Sequence, residues 1–162
     1  MSIDCVDCRI KQKGPTFSSH KFKKKSALRY EVAVAIISGE IAWINGPYPA
    51  GQYNNLIIFH ESLQTFLDAG ERVEADDGYE GEAPLKVKCP SSIGIPEEKH
   101  RKMGIVRRRQ ETVNRRFKQW GILAHKFRHD LGMHGRVFSA IVVISQLAIE
   151  HGEPLFQVEY DD

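Results

Sequence analysis

Three carboxylates stand where chemistry rather than solubility would use them. They are Asp4 near the start, Asp76 in Ala75-Asp76-Asp77-Gly78-Tyr79, and Glu111 inside Met103–Leu123, MGIVRRRQETVNRRFKQWGIL. Asp4 falls in a stretch that reads as a strand, Asp76 just beyond another, and Glu111 on a helix. Acids on two neighbouring strands and on a helix packed across them can converge on divalent metal. Hard cations roughly 3.5–4 Å apart, bridged by carboxylates, activate a water and stabilise a leaving oxygen in phosphoryl transfer. At helical spacing Glu111 is surrounded by Arg107, Arg108, Asn114, Arg115 and Lys118, which would grip a phosphodiester backbone or support the acid. Two plainer readings use the same residues. A solvated helix carries such charges as i,i+4 pairs adding a few tenths of a kcal/mol each. Asp76-Asp77-Gly78 is also an ordinary Asp-rich turn.

The elements that would position these acids follow from periodicity. Ser2–Arg9 reads as a strand and 11–26 as a loop holding the run Lys21–Lys25 (KFKKK). Leu28–Ile37 alternates and then becomes continuously apolar, as a central strand does. Ser38-Gly39-Glu40 is expected to turn it back into Ile41–Asn45 as a hairpin, with 46–51 an irregular Gly/Pro loop. Asn54–Leu67 reads as a helix capped by Asn54 or Asn55, with Leu56, Phe59, Leu63 and Leu67 on one face. Arg72–Ala75 is a short strand. Acids just beyond its carboxyl end sit where α/β sheets place ligands. Residues 80–98 form an irregular connection with one strand candidate, Leu85–Cys89.

The helix around Glu111 shows an apolar face of Met103, Val106, Val113, Phe117 and Trp120. Trp43, Trp120 and Phe117 are expected in the core. His125, His129 and His134, in a Gly-containing connection, read as polar surface or phosphate-facing groups. Val137–His151 reads as a second, very apolar and buried helix, and 153–162 as an extended, fraying tail. The result is an α/β fold: a sheet with helices on its faces.

With 162 residues, 41% of them hydrophobic, the chain suits one domain with a real core. The net charge is only +2, yet the cations clump at Lys21–Lys25 and across Lys99–Lys118. That clumping points to an anionic partner on one face. No run of eighteen apolar residues and no signal peptide is evident, so a soluble intracellular protein without membrane contact is expected. Cys5, Cys8 and Cys89 are too few and odd in number for a disulfide framework. Cys5-x-x-Cys8 is half a zinc knuckle without its other half. The first strand starts almost at residue 1, which sets the expectation of an N-terminally truncated piece.

Taken together, these motifs resemble the catalytic domain of the Harbinger-type DDE transposases, the DDE-superfamily endonucleases of eukaryotic mobile elements. The likeness rests on Ile3-Asp4-Cys5-Val6-Asp7, on Ile41-Ala42-Trp43-Ile44-Asn45-Gly46-Pro47, on Ala75-Asp76-Asp77-Gly78-Tyr79, and on Arg107, Glu111, Asn114 and Lys118 followed by Trp120-Gly121-Ile122-Leu123. It covers nearly the whole chain. The resemblance implies an RNase H-like mixed sheet flanked by helices, with Mg²⁺ or Mn²⁺ held at Asp4, Asp76 and Glu111. It further implies DNA hydrolysis or strand transfer, and a nuclear location. Asp4 and Asp76 would share one ion, while Glu111 would hold a second and position the attacking water. Cys5-Val6 replaces the family's Gly-Thr, and Asn55 stands where the family carries an Asp, four residues after Gly51.

No DNA-reading domain is recognisable in the chain, so a separate DNA-binding protein, and self-association, are expected partners beside DNA itself. Two functions follow. One is a metal-dependent DNA endonuclease or transposase domain working through the Asp-Asp-Glu triad. The other is a decayed or domesticated transposase domain that binds DNA or protein without chemistry. A zinc or scaffold protein with no nucleic-acid role is a weaker third, opposed by the clustered arginines.

Overall fold

The structure, a computed structural model, describes residues 1–91 and 96–160. Parts of two expectations, the irregular connection at 92–95 and the tail's end at 161–162, lie outside the described residues.

The first strand, β1 (Ser2–Arg9), has the bounds its sequence suggests. Its pleat divides the core. Asp4, Val6 and Cys8 face one side, where Val6 and Cys8 join a cluster with Val113, Phe117 and Phe138. Ile3 and Cys5 face the other, toward Phe59 and Tyr79. Along its length β1 pairs antiparallel with β3 (Lys25–Val34), from Ser2 opposite Val34 to Arg9 opposite Ala27. The expected loop at 11–26 holds short 3₁₀ turns and a two-residue strand, β2 (Ser18–Ser19), which pairs with the start of β3.

β3 ends at Val34, before Ile37, and the chain turns through residues 35–40. Arg109 braces the early turn. Its guanidinium is buried and donates to the carbonyls of Ile36 at 2.5 Å and Ile37 at 3.5 Å. β4 (Ile41–Pro49) then runs back along β3. The loop expected at 46–51 is in fact mostly strand. A register shift between Arg29 and Glu31 absorbs Gly46 and Pro47, and pairing resumes at Tyr48 and Pro49.

α1 (Asn55–Glu61) is shorter than its sequence suggests. Asn54 caps it, accepting from the Ile57 N–H at 2.8 Å. Ser62 then breaks the helix into a 3₁₀ turn, its hydroxyl donating to Ile58 O at 2.6 Å. β5 (Val73–Glu74) and β6 (Val87–Lys88) add two short parallel strands. The main sheet therefore runs β4-β3-β1-β5-β6, antiparallel on one side of β1 and parallel on the other.

α2 (Glu97–Gln119) starts six residues before Met103, with Glu97 and Glu98 in its first turn favoured by the helix dipole. Trp120 is extended and ends it, and a single turn, α3 (Gly121–Ala124), follows. That break corrects the core assignment of Trp120, which is 43% exposed, while Phe117 is buried as expected. Trp43 is half-buried and donates its indole N–H to Glu31 at 3.0 Å.

α4 (His134–Glu150) begins three residues early, after a turn closed by the Asp130 carboxylate on the Gly132 N–H. His134 is therefore core rather than surface, its Nδ1 2.6 Å from the Tyr30 hydroxyl. Phe138, Ile141 and Ile149 pack on the sheet and α2, whereas Val143, Ile144 and Leu147 face outward. By length and composition Leu131–Glu150 is apolar enough to cross a membrane, although polar residues interrupt its apolar run. Residues 153–160 carry no regular secondary structure but are not frayed: Leu155 and Val158 are buried, and the Tyr160 hydroxyl donates to Glu74.

Candidate functional site

Parallel pairing brings two of the three acids together. Ser2 on β1 stands opposite Glu74 on β5. Asp4 lies two residues further along β1 and Asp76 two residues past Glu74, just beyond the end of β5; both line one cleft, and the charge of Asp76 is felt at Asp4. α2 crosses that face. Its Gln110 is buried, accepting from the Ser2 hydroxyl at 2.8 Å and donating to Val32 O at 3.1 Å. That bridge fixes the helix rotation so that Glu111 and Asn114 overlook β1. Asp4, Asp76 and Glu111 line one cleft of about 320 Å³ with Arg107 and Arg108 at its side. A second groove, about 340 Å³, shares Asp4 and Glu111 and is lined by Lys21, Asn114, Arg115 and Lys118.

Asp4 is held on several sides. Its Oδ1 accepts from the Cys5 N–H at 2.6 Å, its Oδ2 from the Asn114 amide at 2.8 Å, and Lys21 Nζ stands 3.7 Å away. Burial pushes its carboxyl above the ordinary range; Lys21 pulls it down, and the charge of Asp76 raises it again. Asp76 also caps the 3₁₀ turn at 77–82, accepting from the Gly78 N–H at 3.0 Å. A Cβ on Gly78 would stand 2.9 Å from that carboxylate oxygen and 3.3 Å from the Asn55 amide nitrogen. A side chain at 78 would therefore push the Asp76 carboxylate aside, and Asn55 sits beside Asp76.

Glu111 is turned outward: its carboxylate lies 3.5 Å from Arg115, and its side chain is 60% exposed. Among the described residues no three His, Cys, Asp or Glu side chains are grouped tightly enough to enclose an ion in this arrangement. The donor set is nonetheless all oxygen, the type hard divalent cations take. Two polar atoms near it, Arg107 Nε and Asn114 Oδ1, are buried without a partner. By donor type, by the repulsion between Asp4 and Asp76, and by the orphaned Asn114 oxygen, the residues fit a divalent cation, while Arg107 Nε is suited to an anion such as phosphate. Closing the cage requires Glu111 to swing inward.

The other basic groups divide. Arg108 donates to Gly104 O at 3.3 Å, an i,i+4 contact that leaves its guanidinium exposed. Lys118 is tied inward to the carbonyl of Asp7, with the Cys8 sulfur 3.4 Å away. Cys5 and Cys8 project to opposite faces of β1 and are both free, so the CxxC spacing cannot chelate: three residues along a strand reverses the side. Sequence reasoning overlooked Gln110 and Arg109, and placed Lys21 only within a basic loop run rather than beside Asp4. The first two carried a signal, since both fall on the stripe of Val106, Val113 and Phe117, where a polar residue must be buried and bonded. Lys21 reaches Asp4 only through the fold of its loop.

Comparison with family models, curated proteins and solved structures finds no match for this chain.

Proposed function

We propose that this chain is an RNase H-like, metal-dependent DNA-cleaving domain related to the Harbinger-type DDE transposases. The observation that carries the reading is the convergence of Asp4, Asp76 and Glu111 on one cleft from β1, the end of β5 and α2. The sheet supports it too, with three antiparallel strands followed by two parallel ones and the first strand central. Asp4, Asp76 and Glu111 would hold Mg²⁺ or Mn²⁺. When bound, such an ion supplies Lewis-acid polarisation of a phosphoryl oxygen and lowers the pKa of an attacking water.

The protein's own groups do the rest. The Cys5 N–H and the Asn114 amide each hold one oxygen of Asp4, leaving further lone pairs directed at the cleft. Lys21 offsets part of the charge that Asp4 and Asp76 place together. Arg107 and Arg108 line the wall where a phosphodiester would lie, with Arg115 and Lys118 along the adjoining groove.

Nicking of supercoiled plasmid with Mg²⁺ or Mn²⁺ tests this. Asp76→Asn, which keeps the capping oxygen, is expected to reduce nicking by roughly 10²-fold or more. Nicking that survives the substitution would sink the triad. The outward Glu111 favours a second reading, a domain that binds DNA without cutting it. It predicts salt-sensitive DNA binding with no metal-dependent nicking by the wild type.

A further inference from the structure

A second cleft, of about 620 Å³, opens at the far end of β1. Six cations line it, Arg9, Lys11, Lys13, Lys24, Lys25 and Lys126, and no acid does. None of the six makes an ion pair among the described residues, and the five lysines are exposed. In a chain of net charge +2 this is a marked local excess.

The fold assembles the cleft from separate segments. Phe127 N–H donates to Arg9 O at 2.8 Å and Lys11 N–H to Phe127 O at 2.9 Å, which brings Lys126 beside the end of β1. The run Lys21–Lys25 is split: Lys21 turns to Asp4, while Lys24 and Lys25 turn to this cleft. Lys23 and Lys24 hold left-handed backbone, at φ 50° and 63°. Glycine would adopt that conformation at less cost. No aromatic ring lines the cleft, so it offers phosphate contacts and no platform for stacking bases.

We infer that this cleft binds the phosphate backbone of duplex DNA flanking the cleavage point, independently of sequence. The inference rests on the DNA-cleaving reading for the location of that point. Arg9 lies five residues beyond Asp4, roughly 16 Å along β1, and the odd offset directs the two side chains to opposite faces of the strand. The ring of Phe22, which lines the groove beside Asp4, lies 6.0 Å from Arg9 and 5.9 Å from Lys118.

The test is fluorescence anisotropy with a labelled duplex DNA across a salt series. It compares wild type, Lys11→Gln/Lys13→Gln/Lys126→Gln, and an independent variant, Lys24→Gln/Lys25→Gln. The expected result is weaker binding at every duplex sequence. The slope of log K against log salt should fall by about 0.9 for each phosphate that the variant no longer neutralises. An unchanged slope in a variant whose melting temperature matches wild type overturns the inference, as does a cleft effect seen only with an RNA duplex. Loss of nicking in Asp76→Asn with the cleft effect absent sinks the flank site alone. A cleft effect in a wild type that never nicks supports the flank site and sinks the nuclease.

Discussion

Asp4 is the residue on which the site's electrostatics converge. Its carboxyl is raised by burial and by Asp76, so ionising it costs folding free energy. At acid pH, where the folded and unfolded chains are both protonated, there is no penalty. As pH rises from the ordinary Asp value through the raised one, stability is lost. Asp4→Asn is therefore expected to raise the melting temperature at neutral pH without divalent ions and to flatten that pH dependence. The Asn114 amide can turn its unpartnered oxygen to meet the new NH₂. If the proposed metal site exists, Mg²⁺ should stabilise wild type and not the variant; equal stabilisation of both, read by calorimetry, would exclude Asp4 as a ligand.

Between residues and fold stands α2, and the buried Gln110 and Arg109 set its rotation. Arg109 ties it to the β3–β4 turn, where Gly39 has φ 81° and a Cβ would come 2.1 Å from the guanidinium. Gly39→Ala therefore combines a left-handed backbone with a clash. It is expected to cost about 1–3 kcal/mol by denaturant unfolding and to lower nicking through a misplaced Glu111. A neutral result would show that the turn is free to shift. Strand β1, the cap at Asn54 and the acidic turn were legible in the sequence, because each rests on local pattern. The lengths of β3 and α1 and the exposure of Trp120 were not. The first depends on Arg109, far along the chain; the second on the Ser62 hydroxyl competing for backbone; the third on a break in α2 where the sequence shows only helix formers and a glycine. The candidate acids were readable as a set, but the outward Glu111 and the inward Lys118 were not, since partners across the fold decide a side chain's direction.

In the molecule as a whole, two sets of buried groups respond to pH in opposite senses. Burial raises the carboxyls of Glu31 and Glu74, as it does Asp4, so acidification relieves them. Burial pushes His134 down to about 4, with Lys118 adding to the effect. Below the ordinary His value the unfolded chain takes up a proton that the folded chain refuses, so stability falls from about pH 6.5 to pH 4. That loss amounts to at most ~3 kcal/mol. His134→Gln should remove this slope from melting temperatures taken between pH 7 and pH 4, leaving the carboxylate trend; an unaltered slope would mean that His134 is protonated when folded.

The pairing of Ser2 with Glu74 has a consequence for how the molecule forms. The β3–β4 hairpin closes over a short stretch of chain, whereas β1 must find a parallel neighbour some seventy residues away, and such long loops close slowly. The two aspartates meet only at that late step. A nascent or partly folded chain therefore carries its lysines and arginines before its acidic cleft is assembled.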